Sequence, residues 1–127
     1  MTTRFRAASA VPLALVLGAA LVASGCGKYS YSNLKALKAF SDANQYYQQN
    51  DYKRAAERYE AVVGNQTALD ANPKLNAAYF FLGNSYDQMY KPVNAGDAQN
   101  DAYLQKAIEN YQKAVQHDTD PKMKKLA

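Results

Sequence analysis

The chain has 127 residues, of which 48% are hydrophobic and 20% charged, and its net charge is +4 at pH 7. This composition indicates one small folded unit and argues against a disordered, collagenous or multidomain chain. A single cysteine and a single histidine exclude a disulfide framework within the chain and a zinc site built on several thiols. We therefore expect no metal and no cofactor.

The amino-terminal residues follow the order of a secretory signal. Arg4 and Arg6 precede Ala7 to Ala23, an almost continuous apolar run without charge that ends in small residues. A helix that spans about 30 Å of hydrocarbon needs about 20 apolar residues. The run has only 17 residues and contains Pro12. The sequence therefore predicts a cleaved signal peptide over residues 1–25 rather than a membrane-spanning helix.

The only cysteine follows this run directly. The segment Val22-Ala23-Ser24-Gly25-Cys26 resembles the lipobox of bacterial lipoproteins, although that family more often has Leu at the position of Ala23. The resemblance implies that the thiol of Cys26 is diacylated, that the signal is removed before it, and that the new amino terminus is acylated. The alternative is an ordinary signal peptide, or an uncleaved anchor, with an incidental cysteine.

The lipobox predicts a lipid-anchored protein of the bacterial cell envelope, with residues 26–33 as the tether. Two or more acyl chains anchor stably, because each buried methylene contributes about 0.8 kcal/mol. By the same resemblance, Gly27 in place of Asp favours the outer membrane, facing the periplasm, if the host is Gram-negative. Loss of Arg4 and Arg6 with the signal lowers the net charge to about +2, so we expect no nucleic-acid partner.

Beyond residue 33 the apolar residues recur at three- and four-residue steps and nothing alternates with period two, which predicts an all-α fold. A first helix pair covers residues 34–63 and breaks at Asn50-Asp51. A second pair covers residues 73–117 and begins at Asn72-Pro73, where the Asn side chain is expected to cap the helix. The apolar stripes of the first and last helices are Leu34, Leu37, Ala39, Ala43 and Tyr46, and Leu104, Ile108, Tyr111 and Val115.

The two pairs are copies of one unit. Phe40-x-x-Ala43-Asn44-x-Tyr46-x-Gln48 returns as Phe80-x-x-Gly83-Asn84-x-Tyr86-x-Gln88, shifted by 40 residues. Ala55-x-x-x-Tyr59 returns as Ala107-x-x-x-Tyr111, shifted by 52 residues. The difference predicts a 12-residue insertion between the helices of the second pair, at about residues 91–101, where we expect a mobile loop.

These residues resemble the tetratricopeptide repeat, which has a small residue where the first helix crosses the second, an aromatic three residues later, and an Ala and an aromatic on the second helix. The match covers about residues 34–121, with an additional segment from Gly64 to Ala71. It implies antiparallel helix-turn-helix units in a short right-handed solenoid. Residues 122–127 are expected to begin a further helix, and the sequence leaves open whether the natural protein continues.

The resemblance also implies a binding surface, because the first helix of each repeat lines a concave face that holds a partner peptide. Asn and Gln can donate to and accept from a peptide backbone, and Phe can hold an apolar side chain. The expected partner-binding residues are Phe40, Asn44, Tyr47, Gln48, Phe80, Phe81, Asn84, Asp87 and Gln88. The alternative is that the phenylalanines only pack between the repeats and that Asn44 and Asn84 are ordinary surface residues.

No complete catalytic constellation is present in the sequence, which lacks Gly-x-Ser-x-Gly. The thiol of Cys26 is expected to be acylated, and His117 has only the adjacent Asp118 as a partner. We therefore predict a lipid-anchored envelope scaffold, not an enzyme, that binds a protein or peptide or assembles a complex. The alternatives are a structural lipoprotein that self-associates, and a small glycan-binding or hydrolytic envelope protein.

Cys26→Ser should abolish lipid labelling and leave the protein unprocessed or released from the membrane, because the chain has no other thiol. Metabolic labelling with a clickable fatty acid measures this directly. Ser24→Ala, which keeps a small residue before the cysteine, is the matched control and should label normally. Undiminished labelling of Cys26→Ser would contradict the lipobox.

Overall fold

The computed structural model describes residues 30–117, and every structural statement concerns this range. The predicted signal peptide, the tether with Cys26 and residues 118–127 lie outside it. The chain forms five α-helices, α1 (Tyr31–Gln48), α2 (Tyr52–Val63), α3 (Gln66–Ala71), α4 (Ala77–Met89) and α5 (Ala98–His117), and no strand between residues 30 and 117. The all-α class is confirmed. Among these five helices, none combines the length and the apolar character that crossing a bilayer requires.

The break between the first two helices lies where the sequence predicts it. Asn50 adopts a left-handed backbone with φ of 59°, a conformation that Asn tolerates better than most residues. The Asp51 side chain then accepts a hydrogen bond from the Arg54 amide at 3.2 Å and begins α2. A single left-handed residue followed by a cap thus reverses the chain between α1 and α2.

The start of the second pair differs from the prediction. The Asn72 side chain makes no capping hydrogen bond. Instead its backbone carbonyl accepts from the Leu75 amide at 3.0 Å, and Pro73–Asn76 form a 3₁₀ turn before α4. Pro73 fixes φ and favours a tight first turn, while the buried Leu75 holds that turn against the core. The helix therefore begins only at Ala77.

The segment between the pairs is also ordered by a side chain. Asn65 accepts from the Ala68 amide at 3.1 Å and begins the short helix α3. The same side chain accepts from the Ser32 hydroxyl at 2.9 Å and donates to the Ser32 carbonyl at 3.2 Å. Asn65 thus connects α3 to the start of α1.

The insertion in the second pair is a shorter loop than predicted. The loop covers residues 90–97, and Ala98 to Asp101, which the sequence assigned to it, form the first turn of α5. The Asp97 side chain accepts a hydrogen bond from the Asn100 amide at 2.9 Å and caps the amino terminus of α5, so the helix begins at Ala98. Polar composition alone suggested a loop there, but an Asp followed by helix-compatible residues is a helix start.

Asn100 gives the loop a hydrogen-bonded frame. Its buried side chain donates to the carbonyls of Lys91 at 3.0 Å and Asn94 at 3.1 Å, and accepts from the Lys91 amide at 2.8 Å. The amide side chain of Asn100 therefore satisfies backbone hydrogen-bonding groups that would otherwise need water as a partner. The loop expected to be mobile is tied at both ends to the first turn of α5.

The helices pack in the row α1, α2, α4, α5, so α2 and α4 lie in the middle. Small residues line the crossings: Ala43 and Ala55 are fully buried between α1 and α2. In the second pair, a β-carbon on Gly83 of α4 would lie 3.0 Å from Tyr111 Cδ1 of α5. This contact is closer than carbon atoms normally pack, so the crossing of α4 and α5 favours glycine at this position.

The apolar stripes predicted for α1 and α5 are only partly buried. The buried side chains of these helices are mostly small: Asn33, Ala36 and Ala43 in α1, and Asn100, Ala107, Asn110 and Ala114 in α5. Leu34 and Leu37 of α1 are exposed, as are Ile108 and Val115 of α5. Both helices stand at the ends of the row, so a neighbour covers only one side of each.

Asn50→Ala should be about 0.5–1 kcal/mol less stable than Asn50→Gly. A β-carbon in the left-handed region costs about 1–2 kcal/mol, which exceeds the entropic cost of glycine, about 0.5–1 kcal/mol. Both variants remove the acceptor of the Tyr52 hydroxyl, which donates to Asn50 at 2.8 Å, so their difference isolates the backbone. Urea unfolding measures it, and an alanine variant as stable as the glycine variant would contradict the assigned turn.

Candidate binding surface

An asparagine of the first helix meets a tyrosine of the second helix in both pairs. The Tyr59 hydroxyl donates to Asn44 Oδ1 at 2.6 Å. In the second pair Asn84 Nδ2 donates to the Tyr111 hydroxyl at 3.3 Å. The two asparagines are 40 residues apart and the two tyrosines 52 apart, which are the shifts of the sequence repeat. The repeated sequence thus builds a repeated contact.

Aromatic rings surround these hydrogen bonds in the same repeated way. Phe40 meets Tyr59 edge-on at 5.9 Å between ring centroids, and Phe80 meets Tyr111 at 5.8 Å. These are favourable separations for aromatic pairs. Each phenylalanine therefore packs on the tyrosine of its own pair.

Tyr47 joins the two pairs. Its hydroxyl donates to Asn84 Oδ1 at 2.6 Å, and its ring meets Phe81 edge-on at 5.5 Å. Phe81 in turn stacks on Tyr59 at 5.8 Å. The result is one continuous patch, here named the aromatic-amide surface, whose members are Phe40, Asn44, Tyr47, Phe80, Phe81, Asn84 and Tyr111, with Tyr59 beneath them.

The structure brings together six of the nine residues that the sequence proposed. Phe40, Asn44, Tyr47, Phe80, Phe81 and Asn84 all belong to the aromatic-amide surface and are half-buried. Gln48, Asp87 and Gln88 are exposed on the same two helices. Tyr111, which is half-buried, also belongs to the surface, and the fully buried Tyr59 lies beneath it and supports it. Neither tyrosine is among the nine proposed residues, although their recurrence with the asparagines was the available signal.

The asparagines have a structural duty that the sequence did not predict. Asn44 gives the buried Tyr59 hydroxyl its acceptor, and Asn84 bonds both Tyr47 and Tyr111. Substitution of either asparagine therefore affects packing as well as the surface. Among the described residues, Asn44 Nδ2 has no hydrogen-bond acceptor and is left for another group.

The tyrosine hydroxyls of this surface stay protonated over the physiological range. Burial raises the pKa of Tyr59 well above its ordinary value, and the nearby Tyr47 raises it further. Burial likewise raises the pKa of Tyr47 and of Tyr111. The hydroxyls therefore stay available for hydrogen bonds, as donors at Tyr47 and Tyr59 and as an acceptor at Tyr111, and are not proton-transfer groups at neutral pH.

A second polar cluster joins α2, α4 and α5. The Tyr86 hydroxyl donates to the carboxylate of Glu60 and accepts from Lys106 Nζ at 3.3 Å. Lys106 also lies 3.6 Å from Glu60 and over the Tyr86 ring. Desolvation by burial, followed by the Glu60 carboxylate, raises the pKa of Tyr86. This cluster connects the helices, and no sequence pattern pointed to it because its members come from three elements.

No protein-family model, curated protein or solved structure matches the chain. Within residues 30–117, no three His, Cys, Asp or Glu side chains stand together as a metal site would need. The geometry of the aromatic-amide surface is therefore the main basis for assigning a function.

Asn44→Ala should lower the free energy of unfolding by about 1–3 kcal/mol, because it leaves the buried Tyr59 hydroxyl without an acceptor. The double variant Asn44→Ala/Tyr59→Phe should be no less stable than Asn44→Ala alone, since it removes that hydroxyl as well. Urea unfolding of the four proteins in this cycle provides the measurement. Gln48→Ala, on the same helix but exposed, is the control, and simple addition of the two single effects would contradict the pairing.

Proposed function

We propose that the chain is a lipid-anchored scaffold of the bacterial cell envelope, built of tetratricopeptide-like repeats in a short right-handed solenoid. Its proposed task is to hold an extended segment of a partner protein on the aromatic-amide surface. The observation that carries this proposal is the continuity of that surface from one helix pair to the next. Tyr47 of the first pair bonds Asn84 of the second at 2.6 Å, so both pairs contribute to one surface.

The chemistry of the surface suits an extended peptide. Half-buried aromatic rings offer apolar faces that are already fixed in place, so little side-chain entropy is lost on binding. Asn44 Nδ2 and the exposed amides of Gln48 and Gln88 can bond a peptide backbone. The hydroxyls of Tyr47 and Tyr59 already donate hydrogen bonds within the protein, to Asn84 and Asn44. The amides are therefore the groups left to bond a partner backbone.

The size of the surface agrees with a short segment. The stripe from Phe40 to Gln48 is about 12 Å long at about 1.5 Å per helical residue. An extended chain advances about 3.3 Å per residue, so about four residues fit along this stripe. Such a short segment would bind weakly by itself, which suits a scaffold that assembles a complex through several contacts.

Glycan binding is a second candidate, favoured by a separate cleft. A cavity of about 710 Å³ lies between the turn of the first pair and the loop of the second. Its lining includes amide side chains and two tyrosines, among them Gln49, Asn50, Tyr52, Gln88, Gln99 and Tyr103, together with the charged Asp51, Lys53, Lys91 and Asp97. Amides and aromatic rings together can bond sugar hydroxyls and cover sugar faces.

Photo-crosslinking in the bacterium that produces the protein separates these candidates. A crosslinking amino acid at Gln48 should capture a foreign protein, because Gln48 lies at the edge of the aromatic-amide surface. The crosslinking amino acid placed at Gln99 probes the cleft. Placed at Gln66, which is exposed on α3, it serves as the matched control. Mass spectrometry identifies the captured species.

Foreign protein captured at Gln48 at least several-fold above Gln66 supports the scaffold. Glycan fragments captured at Gln99, with Gln48 no better than Gln66, would support the second candidate and contradict the first. Capture at Gln48 of this chain alone would also contradict a foreign partner on the aromatic-amide surface.

A further inference from the structure

The end of the helix row at α5 repeats a surface that is covered elsewhere in the same protein. On α2, Ala56 is 2% exposed and Val63 packs against the core, because α4 lies over that side of α2. The residues 52 positions later are Ile108 and Val115, which are 43% and 37% exposed. The face of α5 that corresponds to the covered face of α2 is therefore open and carries larger apolar side chains.

The helix at the other end of the row, α1, also has a side that no neighbouring helix covers. Phe81 of α4 stacks on Tyr59 of α2, so the side of α4 that carries Phe81 is the one that covers α2. The residue 40 positions earlier is Ser41 of α1, which is exposed. Leu37, one turn before Ser41, is 38% exposed, and Leu34 is 51% exposed. The α1 side that corresponds to the covering side of α4 is thus also open, and it carries Leu37 beside the polar Ser41, with Leu34 one turn further towards the amino terminus.

We infer that copies of this chain associate head to tail, with the open face of α1 in one copy packed on the open face of α5 in the next. The contact would reproduce between two copies the packing that α4 makes on α2 within one copy. Two open faces at opposite ends of the row correspond to the two sides of one interface that the chain already forms.

The charges on the two faces permit this contact. A groove of about 510 Å³ on α5 is lined by Ile108, Tyr111, Gln112, Val115 and Gln116, none of which is charged. On α1 the ammonium of Lys38 pairs with the carboxylate of Asp42 at 2.9 Å, and the cations Lys35 and Arg58 line the same groove as this pair. Packing of Leu34 and Leu37 on α5 buries apolar side chains, while long cationic side chains at the edge can keep their charged ends in water.

Such a contact uses two different surfaces, so it leaves one open face at each end of any row of copies. Contacts of this kind extend into open rows unless the rotation between copies closes a ring. In such a row α1 of each copy would follow α5 of the previous copy. If one copy has its α1 face disabled and the other copy has its α5 face disabled, the two copies can form only one defined pair. This property provides the test.

The test uses the full chain, co-expressed in one cell with two different affinity tags. Brief amine crosslinking precedes lysis, one tag is used for recovery, and the other tag is quantified. Leu37→Glu disables the α1 face and Ile108→Glu the α5 face, because each would bring a carboxylate into the contact. Val93→Glu makes the same kind of change in the loop after α4, where Val93 is 89% exposed, and is the matched control.

Wild-type copies, and Val93→Glu copies, should recover each other. Two Leu37→Glu copies should recover each other at least about tenfold less, as should two Ile108→Glu copies. A Leu37→Glu copy together with an Ile108→Glu copy should regain recovery as a 1:1 pair, because one intact α5 face meets one intact α1 face. Circular dichroism of each variant should give the wild-type helix signal.

Absence of recovery between wild-type copies would overturn the inference, since something else would then cover the α5 face. Recovery between two Leu37→Glu copies would show α5 packed on α5 and would also overturn it. Failure of the mixed pair, with both variants folded, would equally exclude the head-to-tail contact.

Discussion

The buried ring of Tyr59 is the interaction on which the rest of the structure depends. It contacts Phe40 and Tyr47 of α1 and stacks on Phe81 of α4, so one side chain of α2 touches both neighbouring helices. Its hydroxyl is satisfied by Asn44, which allows a polar atom to be buried at low cost. Without this ring, Phe40 and Tyr47 would lose their aromatic partner on α2, and Phe81 would lose its stack on the first pair.

This arrangement explains why packing and surface cannot be separated at these positions. Asn44 and Asn84 hold tyrosine hydroxyls, and Tyr47 bonds across the pairs, so their side chains serve the fold even if they also contact a partner. A rigid surface binds with a smaller entropic cost than a flexible one. The exposed edge residue Gln48 carries no such duty and is the better position for probing binding alone.

The sequence predicted those features that depend on local chemistry or on self-comparison. The all-α class follows from periodicity, and the turn at Asn50-Asp51 follows from a left-handed Asn and a capping Asp. Six of the nine side chains expected on one surface lie together because the repeat shifts apply to both helices of each pair. Features that required a partner from another element were missed. The sequence could not show that the Asn100 side chain would bond the backbone of the preceding loop, because its partner Lys91 lies nine residues away. Periodicity also could not show that the large apolar residues of α1 and α5 lie on the side that no neighbour covers.

Hydrogen exchange in Tyr59→Ala tests the central claim most directly, namely that both helix pairs share one structural surface. Mass spectrometry of peptides from α1, α2, α4 and α5 reports protection in each helix separately. Loss of the shared ring should reduce protection in both pairs, by comparable factors in α1 and in α4. Unchanged protection of α4 and α5, with loss confined to α1 and α2, would contradict the account, because the pairs would then be independent units.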